Sequence, residues 1–475
     1  MNTEKKRVLI VGAGEAARMI LSQIAGNEQI RVSVAGLLDD NDDLVGRRID
    51  SVPVLGRTDS LEKWVEEKKI DEIIIAIPTA GGSFVRKMIH RCNNAGVPYK
   101  IVPGIMSIIK GDVSINQIRE VRIEDLLGRE TVDFDIEMMR GTISGKRVLV
   151  TGAGGTIGRQ LCRYLACSEP SELILLGRGE NRIFKIEEEL KSKPSQLNIS
   201  TVINNLRDRG RTENLIERLA PDIVYHTAAH KHVHYMERDP AEAVINNIGA
   251  TLNLVRACGN SGTGKFIFIS TDKAANPRGI MGATKWIMER FLSASNSKSR
   301  CRFISVRFGN VIGSSGSVVP LFIRQIKRGG PVTVSDPEAS RYFMTVKEAA
   351  LLVLRASVIG KGGEIFILDM GEALNIHEMA RDIIILSGHE PEKEIPIKFM
   401  GLREGEKIHE QLVGEKEKLV PSGEEKIMIA EPSSELPEIT EDHLESMLEL
   451  AYQDRKDKLM TVFSELLPGF DGSER

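Results

Sequence analysis

Residues 147–158 read RVLVTGAGGTIG and carry the most informative structural pattern of the chain. An apolar run leads into a glycine turn, and the residues after the turn have the spacing of an amphipathic helix. Gly152, Gly155 and Gly158 have the turn spacing that lets backbone N–H groups and a helix N-terminus meet a pyrophosphate. Each glycine also removes a Cβ that would block the approach. The stretch therefore predicts the first strand, turn and helix of a dinucleotide-binding domain.

The same pattern occurs near the N-terminus. Residues 8–17 read VLIVGAGEAA, so that Gly12, Gly14 and Ala17 follow an apolar strand. Apolar strands and helical stretches alternate after both glycine turns, as in the strand expected at 265–270. This alternation predicts an α/β protein with two Rossmann-like domains, each built on a doubly wound parallel sheet.

The N-terminal copy also carries the acidic pair Asp39 and Asp40, about where its second strand should end. With the glycine turn, this pair makes a fair dinucleotide pattern. No acid/base constellation follows it. Two interpretations stay open: a nucleotide site with a regulatory role, or a domain that only packs.

A length of 475 residues exceeds what one core usually supports, so several segments are expected. Residues 1–127 are expected to form an N-terminal Rossmann-like domain of the nucleotide-binding type, 128–143 a connector, and 144–475 the catalytic domain. From about residue 309 the alternation is less regular and prolines punctuate it. This part is expected to form a smaller C-terminal substrate-binding region.

Composition and charge exclude several classes of function. The net charge of −3, with both signs interspersed, offers no basic stripe for nucleic acid. The five cysteines are odd in number and unpatterned, which favours a reducing compartment, so a cytoplasmic protein is expected. We find neither a signal-peptide pattern nor a long uncharged apolar run, and we therefore expect no membrane span. Four histidines crowd residues 226–234, but their spacing fits neither a helix pair nor a closed zinc site, so no metal is expected.

The end of the next strand bears on the choice of cofactor. Residues 175–180 read LLGRGE, with Gly177 where a ribose-binding Asp would often stand. An acid there hydrogen-bonds the 2′-OH of NAD, whereas an arginine such as Arg178 can meet the 2′-phosphate of NADP. The sequence favours NADP over NAD. The alternative is that Arg178 is a solvated loop residue and Glu180 contacts the ribose.

A second group of polar residues follows the strand at 265–270. Residues 270–273 read STDK, and residues 281–285 read MGATK. A spacing of four sets Met281 and Lys285 on one face of a helix, with methionine where an oxidoreductase of this layout usually carries tyrosine. Because a thioether cannot ionise, proton transfer must fall to neighbours such as Asp272 and Lys273. The alternative is that Met281 is simply a helix residue that faces the core.

These motifs resemble those of the nucleotide-sugar 4,6-dehydratases of polysaccharide biosynthesis, an extended short-chain dehydrogenase/reductase family that acts on UDP-N-acetylglucosamine. The resemblance covers nearly the whole chain, is to the soluble form, and includes residues 228–233 (AAHKHV), 307–317 (RFGNVIGSSGS), 341–345 (RYFMT) and 401–407 (GLREGEK). It implies an internal redox cycle. Hydride leaves C4 of the sugar, water is lost across C5 and C6, and the hydride returns to C6.

The resemblance also implies roles for the motif residues. Asp272 would protonate the departing C6 hydroxyl, Lys273 would remove the C5 proton, and Lys285 would hold the nicotinamide ribose. Both the acid and the base need shifted pKa values, and burial is expected to move each in the required direction. The C4 hydroxyl proton passes either to Thr271 and a water or to Asp272.

The resemblance further implies a set of binding residues. The cofactor contacts expected are Gly152, Gly155, Thr156, Ile157, Gly158, Arg178, Asp208, Ala228 and Lys285. The substrate contacts expected are Lys231, His232, Asn310, Arg341 and Arg403, of which the arginines suit bidentate phosphate contact. The alternative for Arg341 is a surface salt bridge. The chain departs from the family at Gly177, at Asn205, where an acid is usual near the adenine, and at His234, where proline is usual.

The partners implied are a UDP-sugar and further copies of this chain, since helices beside the sheet commonly pair in this superfamily. Two rival functions remain. An epimerase or a different dehydratase would use the same cofactor, but an epimerase would want tyrosine at position 281. A non-catalytic, NADP-sensing or scaffold protein would keep the site only as a binding pocket.

Overall fold

A computed structural model describes residues 5–27, 30–102, 118–127, 136–192, 197–314, 316–467 and 469–470. The chain divides into two compact units. The first contains Met1–Asp133, Leu321–Val332 and Glu378–Lys398, and the second contains Phe134–Pro320, Thr333–His377 and Phe399–Arg475. Of the connector expected at 128–143, residues 128–135 lie outside the described residues, and Ile136–Ile143 form a helix.

The first unit is built on a six-stranded sheet. Its strands are β1 (Lys6–Val11), β2 (Val32–Leu38), β3 (Arg48–Ile49), β4 (Val52–Gly56), β5 (Glu72–Ile75) and β6 (Tyr99–Ile101), in the order β3-β4-β2-β1-β5-β6. Neighbouring strands run parallel except β3 and β4. The helices α1 (Glu15–Ala25), α2 (Leu61–Lys68) and α3 (Gly82–Asn94) separate them.

Strand β1 shows why the strands of this sheet are apolar at successive positions. Successive side chains of a strand point to opposite faces. Val8 and Ile10 belong to one hydrophobic cluster, whereas Leu9 and Val11 belong to another. Since both faces are covered, every position of the strand centre is apolar.

The strands of the rest of the chain are β7 (Arg147–Thr151), β8 (Glu172–Gly177), β9 (Ile199–Ile203), β10 (Ile223–His226), β11 (Lys265–Ile269), β12 (Arg302–Arg307), β13 (Asn310–Val311), β14 (Val332–Val334), β15 (Ser340–Arg341), β16 (Phe343–Met344), β17 (Ile365–Leu368), β18 (Leu374–Asn375), β19 (Ile397–Phe399), β20 (Glu417–Glu424) and β21 (Ile427–Pro432). The helices are α4 (Ile136–Ile143), α5 (Thr156–Leu165), α6 (Glu180–Lys191), α7 (Arg209–Leu219), α8 (Val233–Arg238), α9 (Pro240–Ala243), α10 (Ala250–Asn260), α11 (Ile280–Ser295), α12 (Val318–Ile326), α13 (Val346–Ile359), α14 (Ile376–Leu386), α15 (Glu441–Tyr452) and α16 (Lys456–Leu466).

The second unit contains a nine-stranded sheet in the order β20-β21-β17-β12-β11-β10-β7-β8-β9. From β9 to β17 the neighbours run parallel, and β21 and β20 extend the sheet antiparallel. The strand order reverses between β7 and β10, which is where open sheets of this kind bind ligands. The expected fold class, with two Rossmann-like doubly wound parallel sheets, is confirmed.

Short ribbons carry polar residues to the end of this sheet. Strand β13 pairs with β16, so that Asn310 lies opposite Phe343. Strand β15 pairs antiparallel with β18, which places Arg341 opposite Leu374. A buried ion-pair cluster joins further elements, because Arg307 at the end of β12 contacts Glu289 of α11 at 2.5 Å and Glu417 at the start of β20 at 2.7 Å.

Among the described residues, no helix combines the length and the apolar character needed to cross a bilayer.

Candidate active site

A cavity of about 400 Å³ lies where the strand order of the second unit reverses. Segments at the carboxyl ends of β7, β8, β9 and β10 line it. Gly152 adopts a φ of +68°, and a Cβ on it would lie 2.7 Å from the Thr227 hydroxyl and 2.9 Å from the Ala228 nitrogen. Only glycine fits this turn, because both the backbone angle and the close approach exclude a side chain.

The predicted cofactor residues lie in four places. Gly152, Gly155, Arg178 and Ala228 line the cavity, while Thr156, Ile157 and Gly158 form the first turn of α5 behind it. Lys285 lies on α11. Asp208 lies outside the lining, where its carboxylate accepts a hydrogen bond of 2.9 Å from the Arg211 backbone and caps α7. The structure gives a helix-capping explanation for Asp208, and its contact with a cofactor stays a prediction.

The lining of the cavity is electropositive at the end of β8. Arg178 and Arg182 both contribute to it, and none of the described lining residues is acidic. Glu180, the alternative ribose ligand, is the first residue of α6 and lies outside the lining. This arrangement suits an anionic group on the ligand.

Asn204 is a lining residue that the sequence did not single out. It is buried, and neither atom of its side-chain amide has a hydrogen-bond partner among the described residues. A buried amide without partners costs free energy unless a ligand or water satisfies it. The amide therefore offers one donor and one acceptor to a molecule in the cavity. Its neighbour Asn205, which the sequence noted, also lines the cavity.

The crowded histidines have separate partners. His226 is buried between the hydroxyls of Thr151 and Thr251, at 2.7 and 3.0 Å, and burial together with Lys285 lowers its pKa to about 3. His230 contacts the Glu242 carboxylate at 2.9 Å. Within the part of the chain that the structure describes, no cluster of three or more His, Cys, Asp or Glu side chains is arranged to hold a metal ion.

The STDK motif turns directly after β11. Residues Asp272–Ala274 form a short 3-10 helix, and the Asp272 nitrogen donates to the Phe308 carbonyl at 3.0 Å. The Asp272 side chain is fully buried, with 0% of it exposed. Its Oδ1 accepts hydrogen bonds from the Thr271 hydroxyl at 2.8 Å and from Lys273 Nζ at 3.0 Å. The structure thus joins three of the predicted catalytic residues, Thr271, Asp272 and Lys273, in one hydrogen-bonded set.

Lys273 makes further contacts beyond Asp272. Its Nζ donates to Asn310 Oδ1 at 3.2 Å and lies 3.5 Å from Glu410 Oε1. Burial alone would lower the pKa of Lys273, but the carboxylates of Asp272 and Glu410 outweigh burial, and the pKa is raised. Burial thus acts in the expected direction, but the net shift is upward, because two carboxylates stabilise the ammonium form.

Helix α11 packs against this loop through its MGATK segment. A Cβ on Gly282 would lie 2.2 Å from the Lys273 carbonyl oxygen, so the helix approaches the loop more closely than an alanine would allow. Met281 is 3% exposed and belongs to the hydrophobic core cluster. Met281 thus lies in the core, as the alternative interpretation expected, and its helix packs against the loop that carries Asp272 and Lys273.

Lys285 lies one turn further along α11. Its Nζ donates to the Ile269 carbonyl at 2.8 Å and lies 4.3 Å from the centre of the Phe268 ring. Burial lowers its pKa to about 7, and the more distant Glu289 only partly opposes that shift. Near neutral pH this lysine therefore holds its proton weakly.

The predicted substrate residues are partly brought together. Arg341 Nη1 donates to the Ile408 carbonyl at 2.8 Å, and its Nε lies 3.7 Å from Glu410, so Arg341 belongs to the Lys273 network and is not a surface salt bridge. Lys231 Nζ donates to the Ser314 hydroxyl at 3.3 Å, and its pKa is lowered by burial and by the charge of Lys273.

The other two predicted substrate residues lie on neighbouring loops. His232 precedes α8, and a Cβ on Gly316 would lie 2.7 Å from its ring. Arg403 is exposed and lies close enough to His234 to lower the pKa of that histidine, after the larger effect of burial. No described contact joins Arg403 to the Lys273 network.

Glu410 is a functional candidate that the sequence did not reveal. Its side chain is 4% exposed and contacts both Lys273 and Arg341. The segment that carries it runs beside β15, where the Ser340 nitrogen donates to the Ile408 carbonyl at 2.9 Å. A single glutamate in a loop has no local pattern that marks it, so only the fold reveals this contact.

Two family models match the chain. One, described as polysaccharide biosynthesis protein, matches residues 148–432. The other, described as a CoA-binding domain, matches residues 1–103. The first match covers the nine-stranded sheet and every motif of the candidate site.

The chain is similar to several known proteins. The probable polysaccharide biosynthesis protein EpsC of Bacillus subtilis is 43% identical over 412 residues, which are 86% of this chain and 69% of that protein. The UDP-N-acetylglucosamine 4,6-dehydratase (inverting) of Campylobacter jejuni is 32% identical over 275 residues, 57% of this chain and 78% of its own length. The solved structure of Pen from Bacillus thuringiensis is 34% identical, with a TM-score of 0.55, and covers 61% of this chain and 88% of its own. A protein from Rickettsia bellii named UDP-glucose 4-epimerase also matches, at 33% identity over 279 residues.

Proposed function

Because this chain belongs to the polysaccharide biosynthesis protein family, we propose that its second unit catalyses the 4,6-dehydration of a UDP-sugar, with UDP-N-acetylglucosamine as the substrate. The observation that carries the proposal is the hydrogen-bonded pair of Asp272 and Lys273, packed against a helix that has Met281 in place of tyrosine. Loss of water needs one group that gives a proton and one that takes a proton. A simple hydride transfer needs no such pair.

The cavity at the end of β7 fits a nicotinamide dinucleotide. Glycine at position 152 lets the turn after β7 lie against Thr227 and Ala228, and the buried amide of Asn204 has hydrogen bonds to offer. We favour NADP, since Arg178 and Arg182 line the cavity without an acidic neighbour among the described lining residues. When bound, this cofactor supplies the hydride acceptor and donor. Arg178 would hold the 2′-phosphate, and Lys285 would orient the nicotinamide ribose.

Asp272 and Lys273 carry out the proton transfers of the proposed dehydration. The raised pKa makes Lys273 an ammonium near neutral pH, and it donates a hydrogen bond to Asp272 across 3.0 Å. Movement of that proton to Asp272 converts the ion pair into a neutral amine and a neutral acid, without any proton from solvent. Exclusion of water by a bound sugar favours the neutral form, because desolvation penalises charges. Lys273 then removes the C5 proton, and Asp272 protonates the departing C6 hydroxyl.

The remaining groups position the sugar. The Thr271 hydroxyl donates to Asp272 at 2.8 Å. Because Asp272 already carries the proton received from Lys273, the proton released from the C4 hydroxyl would leave through Thr271 and a water. Asn310, which accepts from Lys273, would bind the diphosphate side together with Arg341. Lys231, His232 and Arg403 complete the proposed substrate contacts.

The direct test is to incubate the purified protein with UDP-N-acetylglucosamine and NADP. We expect a product lighter by one water, which NMR identifies as a 4-keto-6-deoxy sugar. We also expect Asp272→Asn and Lys273→Met to slow turnover by about 100-fold or more, because each removes one proton-transfer group. Both variants should still bind the cofactor, whose cavity they do not line.

Lys298→Met is a matched control, because this lysine is 75% exposed and pairs only with Glu438 in the described structure. Its turnover should equal that of the wild type. An epimerase would change the configuration at C4 without loss of mass, and a scaffold protein would bind NADP without converting any UDP-sugar. Near-normal turnover in either Asp272→Asn or Lys273→Met would refute the acid/base assignment.

A further inference from the structure

We propose, on the basis of the function proposed above, that Glu410 is a positioning residue that sets the protonation state of Lys273 through a buried carboxylate–ammonium contact. Glu410 Oε1 lies 3.5 Å from Lys273 Nζ, and the Glu410 side chain is 4% exposed. Glu410 is assigned no contact with the sugar. Its effect is to stabilise the ammonium that forms when Lys273 takes the C5 proton.

Burial makes this contact strong. Lys273 is 21% exposed, whereas the two carboxylates beside it are almost completely buried. Opposite charges that are shielded from water interact more strongly than exposed pairs.

The unsatisfied oxygens support a functional interpretation. Oδ2 of Asp272 and Oε2 of Glu410 are buried and have no hydrogen-bond partner among the described residues. A fold that needed these carboxylates only for stability would satisfy both oxygens of each. Two incompletely satisfied carboxylates on one lysine are instead arranged to hold a positive charge.

The fold holds Glu410 in place from the backbone side. The Ser340 nitrogen and Arg341 Nη1 both donate to the Ile408 carbonyl, and the Ser340 hydroxyl contacts His409 Nδ1 at 2.9 Å. These bonds fix the segment before Glu410 against β15. Arg341 also lies 3.7 Å from Glu410 Oε1, so the same carboxylate connects the proposed base to a proposed diphosphate ligand.

The charged groups that face Lys273 determine the direction of the pH effect. They are Asp272, Glu410, Arg341, Lys231 and Lys407. The two carboxylates favour the ammonium, and the three cations oppose it. Neutralising Glu410 removes one of the two favourable charges, so Lys273 should lose its proton at a lower pH and be a weaker base.

The test compares Glu410→Gln, Glu410→Asp and wild-type protein in two measurements. The first is the rate of reductive methylation of Lys273 by formaldehyde and borohydride, followed by mass spectrometry from pH 6 to 11, since only the unprotonated amine reacts. The second is the pH profile of kcat/KM with UDP-N-acetylglucosamine. Glu415→Gln is the control, because Glu415 is exposed in the same region of the chain.

In Glu410→Gln we expect the methylation profile to move about one pH unit lower. We expect kcat to fall about tenfold or more while KM changes little, and the limb of the kcat/KM profile that reports Lys273 to move in the same direction. Glu410→Asp keeps the charge and should restore part of both shifts. If Glu410→Gln fails to fold, Glu410→Asp provides the test. The shorter aspartate side chain places its carboxylate farther from Lys273, which predicts a smaller downward shift of the methylation profile.

An unchanged methylation profile in a folded Glu410 variant would overturn the inference, whatever the activity. If the wild type converts no UDP-sugar, the proposed function fails, but the methylation profile still decides the role of Glu410. A loss of activity with no shift in either profile would assign Glu410 a purely structural role.

Discussion

Two buried lysines at the candidate site have opposite pKa shifts. Lys273 has carboxylates within reach, and its pKa is raised although burial opposes this. Lys285 contacts a carbonyl and an aromatic ring, and burial lowers its pKa to about 7. Near neutral pH Lys273 therefore keeps its proton, whereas Lys285 loses its proton readily. The difference comes from the local partners, because carboxylates stabilise a buried ammonium group.

The low pKa of Lys285 predicts a pH-dependent stability. In the unfolded chain this lysine titrates near 10.5, and in the folded chain at about 7. Below pH 7 both states bind the proton, and the folded state bears the full cost of a buried charge. As the pH rises from 7 to 10.5, only the unfolded state binds the proton, so the cost is progressively relieved.

Lys285→Met should therefore be more stable than the wild type at pH 6, and this advantage should shrink as the pH approaches 10. Each pKa unit corresponds to about 1.4 kcal/mol, so we expect a difference of a few kcal/mol at the acid end. Urea unfolding of the ligand-free proteins at several pH values measures it. A difference that does not change with pH would contradict the shifted pKa, and Lys298→Met, at an exposed site, should show none.

At the scale of elements, the site depends on how closely α11 approaches the loop after β11. Gly282 is the point of contact, since a Cβ there would lie 2.2 Å from the Lys273 carbonyl. The backbone oxygen cannot move without moving the lysine itself. Glycine at position 282 is therefore needed for this close approach of the helix to the loop.

Gly282→Ala should push the helix away from the loop and misplace Lys273. We expect a loss of about 1–3 kcal/mol in the free energy of unfolding from overpacking, and a fall in turnover of about 100-fold from the displaced base. Gly210→Ala is the matched control, because Gly210 lies in α7 with nothing within 4 Å of the added Cβ. It should gain up to about 1 kcal/mol from helix propensity. Equal behaviour of the two variants in denaturation and turnover assays would rule out the packing role.

The elements differ in how far the sequence determines them. The strands of both sheets and the glycine turn after β7 were predictable, because hydropathy and glycine spacing are local signals. The pairing of Asp272 with Lys273 was predictable for the same reason. Glu410 and Asn204 were not, since each acquires its role from chain segments that meet only in the fold. The net upward shift of the Lys273 pKa was not predicted, because Asp272 and Glu410 together outweigh burial.

The domain boundaries expected from the sequence do not coincide with the two compact units of the molecule. The sequence places a boundary at residue 127 and assigns everything after residue 143 to one catalytic domain. In the structure the first unit also contains Leu321–Val332 and Glu378–Lys398. Hydropathy cannot reveal to which unit these segments belong, because an amphipathic helix such as α14 has the same hydropathy pattern whichever sheet it covers.

Because the first unit includes segments from later in the chain, we predict that residues 1–127 alone are less stable than the same residues in the intact chain. Ile385 and Leu386 of α14 pack against its hydrophobic core, and Asp382 lies 3.5 Å from His90 and 4.0 Å from Arg86. Loss of this cover should cost on the order of 2 kcal/mol, the value of one well-buried apolar side chain.

The amides of β1 and β5 in a fragment of residues 1–127 should therefore exchange hydrogen faster than the same amides in the intact chain. A flexible glycine-serine linker that joins this fragment to residues 378–398 should restore most of the protection, because it returns α14 to the core. The same fusion with Ile385→Ser and Leu386→Ser should not restore it, since the apolar contacts are then absent. Equal protection in the bare fragment and the intact chain would show that the first unit folds from residues 1–127 alone, as the chain order suggests.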